Sequence, residues 1–362
     1  MNKVLFVIND GIYPYHTGGM EIFNYHLIRA LSKDTSISYM ASRCYDFDSA
    51  LFIKSCSLKP TKLLSPLWLL LYLMFHRQYK KVVFSFSAAH WLVWRLYEVA
   101  IRTLKLEATI VIHYGKDVPS DHRDAYRKFF LSAKNVVAVS DDIKKNYDRA
   151  FGLVCRVIYP LIPFRFAPLT PELYRTKYHI PQGSNVISMV GTLKEMKNPN
   201  RILESLLLFN KDELKQYKPH VVYAGTGPMM NDLQAFVESH GLSDYVSFLG
   251  VIPNDAVCEI MALTNIYLIS SDFEGTSVSL LEAMFNAKPV VASDVPGLRD
   301  MIKTGYNGLL YDVSSAVSLK QSIVALLLDV DMARKLGKAA KDSFEDRYDY
   351  STMIEAYKEM LR

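Results

Sequence analysis

Ile266 to Ser293 reads IYLISSDFEGTSVSLLEAMFNAKPVVAS, and this stretch decides the architecture. The apolar run Ile266 to Ile269 predicts a strand buried on both faces, and Ser270 to Ser277 supplies a polar turn containing Gly275. Val278, Leu281, Ala283 and Met284 then recur at helical spacing, and Pro289 introduces the next strand, Val290 to Ala292. Strand, glycine turn, helix and strand make one βαβ unit. Its turn lies at the carboxyl edge of a parallel sheet, where such sheets bind ligands.

Two carboxylates flank that turn. Glu274 sits in the loop and Glu282 in the second turn of the helix, where it either points back at the loop or faces water. The amides of Gly275, Thr276 and Ser277 stand at a helix N-terminus, which offers N–H donors and a positive dipole end to a phosphate. Acceptor-only carboxylates beside them suit sugar hydroxyls. The blander alternative is an acid favoured by the helix dipole and a solvated helix glutamate.

Working outward, the same grammar repeats on both sides. Lys3 to Ile8 reads as a buried strand, followed by a loop ending in Gly18-Gly19 and an amphipathic helix from Met20 to Ser32. Adjacent glycines let backbone amides approach a phosphate, but the GxGxxG dinucleotide fingerprint is missing, which disfavours NAD. Val82 to Phe86 and Ala108 to Ile112 are further strands. The second delivers His113 to the sheet edge, with Asp117 four residues on. A cluster of Pro160, Pro163, Pro168 and Pro171 reads as a linker. Beyond it the pattern restarts at Asn185 to Val190, His220 to Ala224 and Val246 to Leu249, each strand followed by a glycine-bearing loop. The fold class expected is α/β, with two doubly wound Rossmann-like domains facing across a cleft. The first spans 1–165 and the second 166–345, and a C-terminal helix over 346–362 is expected to pack back on the first.

Composition narrows the function. Half of the 362 residues are hydrophobic and 22% are charged, enough for two sizeable cores and against general disorder. Residues 1–160 hold 22 Lys and Arg against 13 Asp and Glu, whereas the remainder is mildly acidic. Without an RNA-binding signature or zinc finger, that excess suits anionic lipid better than nucleic acid. The most apolar run, Pro66 to His76, is shorter than the roughly 20 residues that span a bilayer. Two readings stand: a buried helix, or an interfacial helix with Trp68 and Tyr72 at headgroup depth and Arg77, Lys80 and Lys81 on anionic lipid. Arg95, Arg102 and Lys105 extend the second. The start of the chain lacks the long apolar region of a secretory signal, and the four cysteines, Cys44, Cys56, Cys155 and Cys258, have no metal-ligand spacing, so a cytoplasmic setting is expected. Asp46/Asp48 and Asp329/Asp331 have Asp-x-Asp spacing but stand away from strand-end loops, so no metal site is assigned.

Taken together, Glu274 and Glu282 in EGTSVSLLE, VGTLKEMKNP at 190–199, YAGTGPM at 223–229, VSFLG at 246–250, AKPVVASDVPG at 287–297 and GYNGLLY at 305–311 resemble the retaining glycosyltransferases of family 4, which have the GT-B fold and use nucleotide-sugar donors. In the first half the likeness is looser: the Gly18-Gly19 loop, HYGKD at 113–117 and VVAVSDDIKK at 136–145. The resemblance implies roles. Glu274 would hold donor-sugar hydroxyls and Glu282 the ribose. Gly275, Thr276, Ser277 and Val278 would line the donor site. Lys197 would neutralise diphosphate charge as the glycosidic bond breaks. Gly18 and Gly19 would approach the diphosphate, His113 the reacting carbon, and Gly225, Gly227 and Gly250 the nucleotide.

The sequence departs from that pattern at Thr192, where the family usually has Arg; a hydroxyl lacks the charged, bidentate reach of a guanidinium, leaving Lys194 or Lys197 to carry the charge alone. Tyr159 to Pro163 also replaces the usual Pro-Asn-Gly turn. The implied reaction is metal-independent transfer of a sugar, with retention, from a UDP- or GDP-sugar to a glycan or lipid-linked acceptor in cell-surface polysaccharide or lipopolysaccharide assembly. Two alternatives remain: a nucleotide-sugar epimerase, against which the paired glutamates argue, and a non-catalytic nucleotide-sugar- or lipid-binding subunit, which Thr192 favours.

Overall fold

The computed structural model describes residues 3–8, 19–41, 54–57, 65–86, 91–113, 121–160, 163–348 and 350–361. The chain divides into two compact units, Met1–Pro163 with Asp349–Arg362, and Phe164–Tyr348.

The first unit runs β1 (Lys3–Ile8), α1 (Gly19–Leu31), β2 (Ile37–Ala41), β3 (Lys54–Ser57), α2 (Ser65–Phe75), β4 (Tyr79–Phe86) and α3 (Trp91–Thr103). It continues through β5 (Glu107–Ile112), α4 (Arg123–Leu131), β6 (Asn135–Ala138), α5 (Asp141–Phe151) and β7 (Arg156–Val157). Its seven strands are all parallel, in the order β3-β2-β1-β4-β5-β6-β7. Aromatic rings dominate one side of this sheet: Phe86 lies 4.6 Å from Trp94 and 5.1 Å from Phe130 between ring centroids.

The second unit runs α6 (Pro171–Lys177), β8 (Asn185–Val190), α7 (Asn200–Leu207), α8 (Lys211–Tyr217), β9 (Pro219–Ala224), α9 (Met230–Ser239) and β10 (Val246–Phe248). Then come α10 (Val257–Leu263), β11 (Ile266–Ile269), α11 (Val278–Phe285), β12 (Val290–Ser293), α12 (Leu298–Met301), β13 (Leu309–Tyr311), α13 (Ala316–Leu328) and α14 (Val330–Arg347). Six parallel strands are ordered β10-β9-β8-β11-β12-β13. Alternate residues serve opposite faces. Ile187, Met189, Val221 and Tyr223 pack with α7 and α13, whereas Val186, Val222 and Ala224 pack with Tyr174 of α6 and Ile260 of α10. Both faces are therefore covered, as a doubly wound sheet requires.

α15 (Tyr350–Leu361) belongs to the first unit, where it contacts α1. Lys358 pairs with Asp34 at 2.6 Å, and Tyr357 stands 6.1 Å from Phe23.

Three sequence expectations change. Pro171 does not extend the linker but occupies the first turn of α6, where its missing N–H costs nothing. The strands β2 and β3, and helices α3, α4 and α8, join the elements read from the sequence. Lys81 is not a membrane-facing cation: it is buried and donates to the Leu361 carbonyl at 2.7 Å, closing the end of α15. A bulge causes this, since the register moves from Lys3–Tyr79 to Val4–Lys81, leaving Lys80 unopposed and exposed.

Candidate active site

Strand ends of the second sheet assemble the site. β8 stops at Val190, and a loop with a 3₁₀ turn over Glu195–Lys197 follows. β11 stops at Ile269, after which Ser270 and Ser271 are fully buried. These hydroxyls find partners inside the protein, as buried polar groups must. The Ser270 hydroxyl donates to the Lys197 carbonyl at 2.8 Å, and the Asp272 N–H donates to the Met196 carbonyl at 3.0 Å. Asn198 closes the seam through its side-chain amide, 3.1 Å from Asp272 Oδ1. The two loops are thus stitched side by side.

On that seam Lys197 Nζ pairs with Glu274 Oε1, and Ser271 Oγ donates to the same oxygen at 2.6 Å. Glu274 is buried, while Lys197 keeps about a fifth of its side chain in solvent. The other carboxylate oxygen, Oε2, has no partner among the described residues. Gly297, beyond β12, supports the loop from below with φ +85°; a Cβ there would stand 2.0 Å from the Glu274 carbonyl.

α11 begins directly after this loop. Ser277 is its N-cap and accepts from the Leu280 N–H, so its hydroxyl is spent on the helix, and Gly275, Thr276 and Val278 flank it. Glu282 lies one turn further along, partly buried, with no hydrogen bond or ion pair to its carboxylate among the described residues. Loss of hydration pushes that carboxyl up to about 8. Burial also raises the Tyr267 phenol, and the nearby Glu282 and Glu274 charges add to the rise; its hydroxyl donates to Ser279 at 2.7 Å.

Glycine turns of three adjacent strands stack alongside. The Gly225 N–H donates to the Gly250 carbonyl at 2.7 Å, and the Gly191 N–H to the Ala224 carbonyl at 2.9 Å. A Cβ on Gly225, whose φ is +144°, would meet the Gly191 carbonyl at 1.9 Å, and one on Gly227 would meet the Leu193 carbonyl at 2.2 Å. Backbone contact this close leaves a flat rim of peptide groups. Thr192 and Lys194 are partly buried on that rim.

The remaining sequence candidates fall elsewhere or beyond description. Gly18 and Asp117 lie outside the described residues, and Gly19 opens α1. His113, in the first unit, has its ring edge against Phe23 at 4.9 Å and, among the described residues, no partner for Nε2. Burial drives its pKa down to about 3, so it is neutral. Trp68 lies on α2, with its side chain outside the described set, and Arg77 and Lys80 are exposed. Asp46 and Asp48 lie outside the described residues; Asp329 caps α14 and Asp331 pairs with Arg334. Sequence reasoning missed Ser270, Ser271, Asn198, Asp272 and Gly297. Their signal was a pair of serines directly after a buried strand and a Pro-Gly turn after the next.

Comparison with known proteins fits this geometry. The model of the family Glycosyl transferases group 1 matches residues 171–343. The chain is 22% identical over 183 residues to the N-acetyl-alpha-D-glucosaminyl L-malate synthase of Bacillus anthracis, covering 51% of this chain and 46% of that protein. It is 23% identical over 253 residues to a GDP-mannose-dependent alpha-(1-6)-phosphatidylinositol monomannoside mannosyltransferase of Mycobacterium tuberculosis, covering 66% and 64%. The chain spans about half the length of the curated relatives it matches first. Among solved structures, Anabaena Alr3699/HepE in complex with UDP-glucose superposes with a TM-score of 0.81 at 16% identity, covering 99% of both chains. The match to Glycosyl transferases group 1 lies within the second unit, Phe164–Tyr348, and the whole chain has the GT-B fold.

Proposed function

We propose that this protein transfers a sugar from a nucleotide-diphosphate sugar to a glycan or lipid-linked acceptor, with retention of anomeric configuration. The observation that carries the reading is the Lys197–Glu274 pair, set where β8 and β11 end and beside the α11 N-terminus. In the reaction the bond between the anomeric carbon and the diphosphate oxygen breaks, and the acceptor oxygen takes its place on carbon. The acceptor proton leaves with the diphosphate. Charge grows on the leaving diphosphate, so a cation and helix amides already in place favour the transition state over the ground state. Lys197 and that helix end carry the load a divalent cation bears in other glycosyltransferases, and Glu274 orients sugar hydroxyls through its unpaired oxygen. Glu282 takes the ribose, His113 contacts the sugar as a neutral ring, and Lys194, Thr192, Gly225, Gly227 and Gly250 shape the nucleotide pocket.

A UDP-glucose complex of one structural neighbour and the GDP-mannose dependence of one relative support a nucleotide-sugar donor and leave UDP and GDP both in play. The same reading places the enzyme in the cytoplasm, at the inner face of a membrane, in cell-surface polysaccharide or lipopolysaccharide assembly. Thr192 favours a second reading, a nucleotide-sugar-binding subunit without turnover. A binding and hydrolysis screen of UDP-, GDP- and ADP-sugars, with Glu274→Ala as control, separates these. Turnover lost in the Ala variant supports the enzyme; binding without turnover supports the subunit; no binding overturns both.

A further inference from the structure

α2 is apolar from end to end, yet only one side of it is used. Leu69 and Leu73 are buried, whereas Leu67, Leu71 and Met74 are about half exposed and Phe75 is 82% exposed. Positions 67, 71, 74 and 75 follow helical spacing, so they form one outward stripe. No charge interrupts the helix, and Arg77 and Lys80 stand exposed just beyond it. α2 packs on α3, whose outer side shows Val99 and Arg102, and α3 on α4. At the start of α4, a depression of about 510 Å³ is lined by Arg95, which pairs with Glu98, and by His122, Arg123, Asp124 and Lys128, so its cations outnumber its acids.

We infer that this helical face docks on an anionic phospholipid bilayer, with the α2 stripe in the interfacial layer and the cations on lipid phosphates. At 11 residues α2 is about 16 Å long, roughly half a hydrocarbon core, and among the described residues no helix is long and apolar enough to cross a membrane. It lies on the surface rather than through it. An apolar stripe ending in the exposed cations Arg77 and Lys80 matches the layering of acyl chain and headgroup. A second copy of this chain is the poorer occupant, because a two-fold contact through α2 sets like on like and offers Arg77 and Lys80 no acidic side chain on that helix. The inference rests on the proposed membrane-side location but not on the sugar chemistry.

Flotation of the full-length protein with phosphatidylglycerol–phosphatidylcholine vesicles, against phosphatidylcholine alone, tests it. The wild type is expected to float with the anionic vesicles and to release at high salt. Arg77→Glu/Lys80→Glu is expected to weaken partitioning at least twentyfold, from about fivefold per cation. Leu71→Glu/Phe75→Glu is expected to weaken it tenfold or more while donor hydrolysis and melting temperature stay at wild-type values. Flotation of both double variants at the wild-type level overturns the inference. So does a wild type that ignores vesicles but forms a dimer that Leu71→Glu/Phe75→Glu abolishes. Persistent flotation with no donor turnover in the wild type leaves this surface standing and defeats the proposed reaction alone.

Discussion

Lys197 and Glu274, 77 positions apart in the chain, meet as an ion pair in which the carboxylate oxygen also accepts from Ser271. Each partner neutralises the other before any donor arrives, which keeps a buried carboxylate tolerable in a loop that must stay open to ligand. Removing one partner alone leaves a desolvated charge.

Lys197→Met and Glu274→Leu are each expected to destabilise the second unit by about 1–3 kcal/mol, and the double variant to regain much of that loss. Donor turnover behaves differently. Each single variant is expected to lose about a hundredfold or more, and the double variant to recover none of it. Denaturant melts beside hydrolysis rates check both halves. Recovery of turnover in the double variant would mean that the pair is structural only.

The stacked glycine turns give a steric prediction. Gly225→Ala places a methyl 1.9 Å from the Gly191 carbonyl, a backbone atom that cannot step aside, at a φ of +144° that side chains rarely adopt. A loss of several kcal/mol or an insoluble protein is expected. Gly241, also at positive φ but with open space where its Cβ would stand, is the control. Gly241→Ala is expected to cost about 1 kcal/mol and to leave nucleotide binding intact, as read by thermal shift with UDP and GDP.

How much of this was readable in advance depends on the range of the interaction. β8 and β11 match the strands read from the sequence end for end, because a strand buried on both faces writes a mainly apolar segment. β3, Lys-Ser-Cys-Ser, has no such run; it is an edge strand held by its pairing with β2. Pro171 looked like linker because its three preceding prolines break structure, but a helix start accepts proline. The glutamates of the site were legible as residues; the Lys197 contact was not, since spacing along the chain says nothing of which loops a parallel sheet brings together. Lys80 and Lys81 read as one basic pair, and only the bulge between β1 and β4 separates their fates.

Glu282 supplies a pH prediction. Burial holds its carboxyl at about 8, against roughly 4.3 in an unfolded chain, so the folded state binds the extra proton between those values. The stabilisation is fully present below about pH 4.3 and is lost as pH rises through 8. Glu282→Gln should therefore flatten that part of the melting-temperature profile and be the more stable form above pH 8. If ribose hydroxyls donate to the ionised carboxylate, as proposed, nucleotide binding tightens from pH 6 to 8 and releases a proton. Calorimetry in two buffers of different ionisation enthalpy measures that release, which the Gln variant should lack.

Lys80 and Lys81 allow a crossed test of structure against surface. Lys81 holds its ammonium on the Leu361 carbonyl at 2.7 Å, joining β4 to the last turn of α15, whose own dipole favours a cation there. Lys81→Met keeps the packed stem but leaves that carbonyl without its donor, a cost of about 1–3 kcal/mol. Melting should drop, and α15 should become more open to protease, because Lys358–Asp34 and Arg156–Glu359 are the kind of exposed ion pairs that hold little by themselves. Vesicle flotation should not change. Lys80→Met should do the reverse: the residue is exposed at the bulge, so melting stays put while binding to anionic vesicles weakens about fivefold. Equal effects of the two substitutions on flotation would restore Lys81 to the surface set from which its burial removes it.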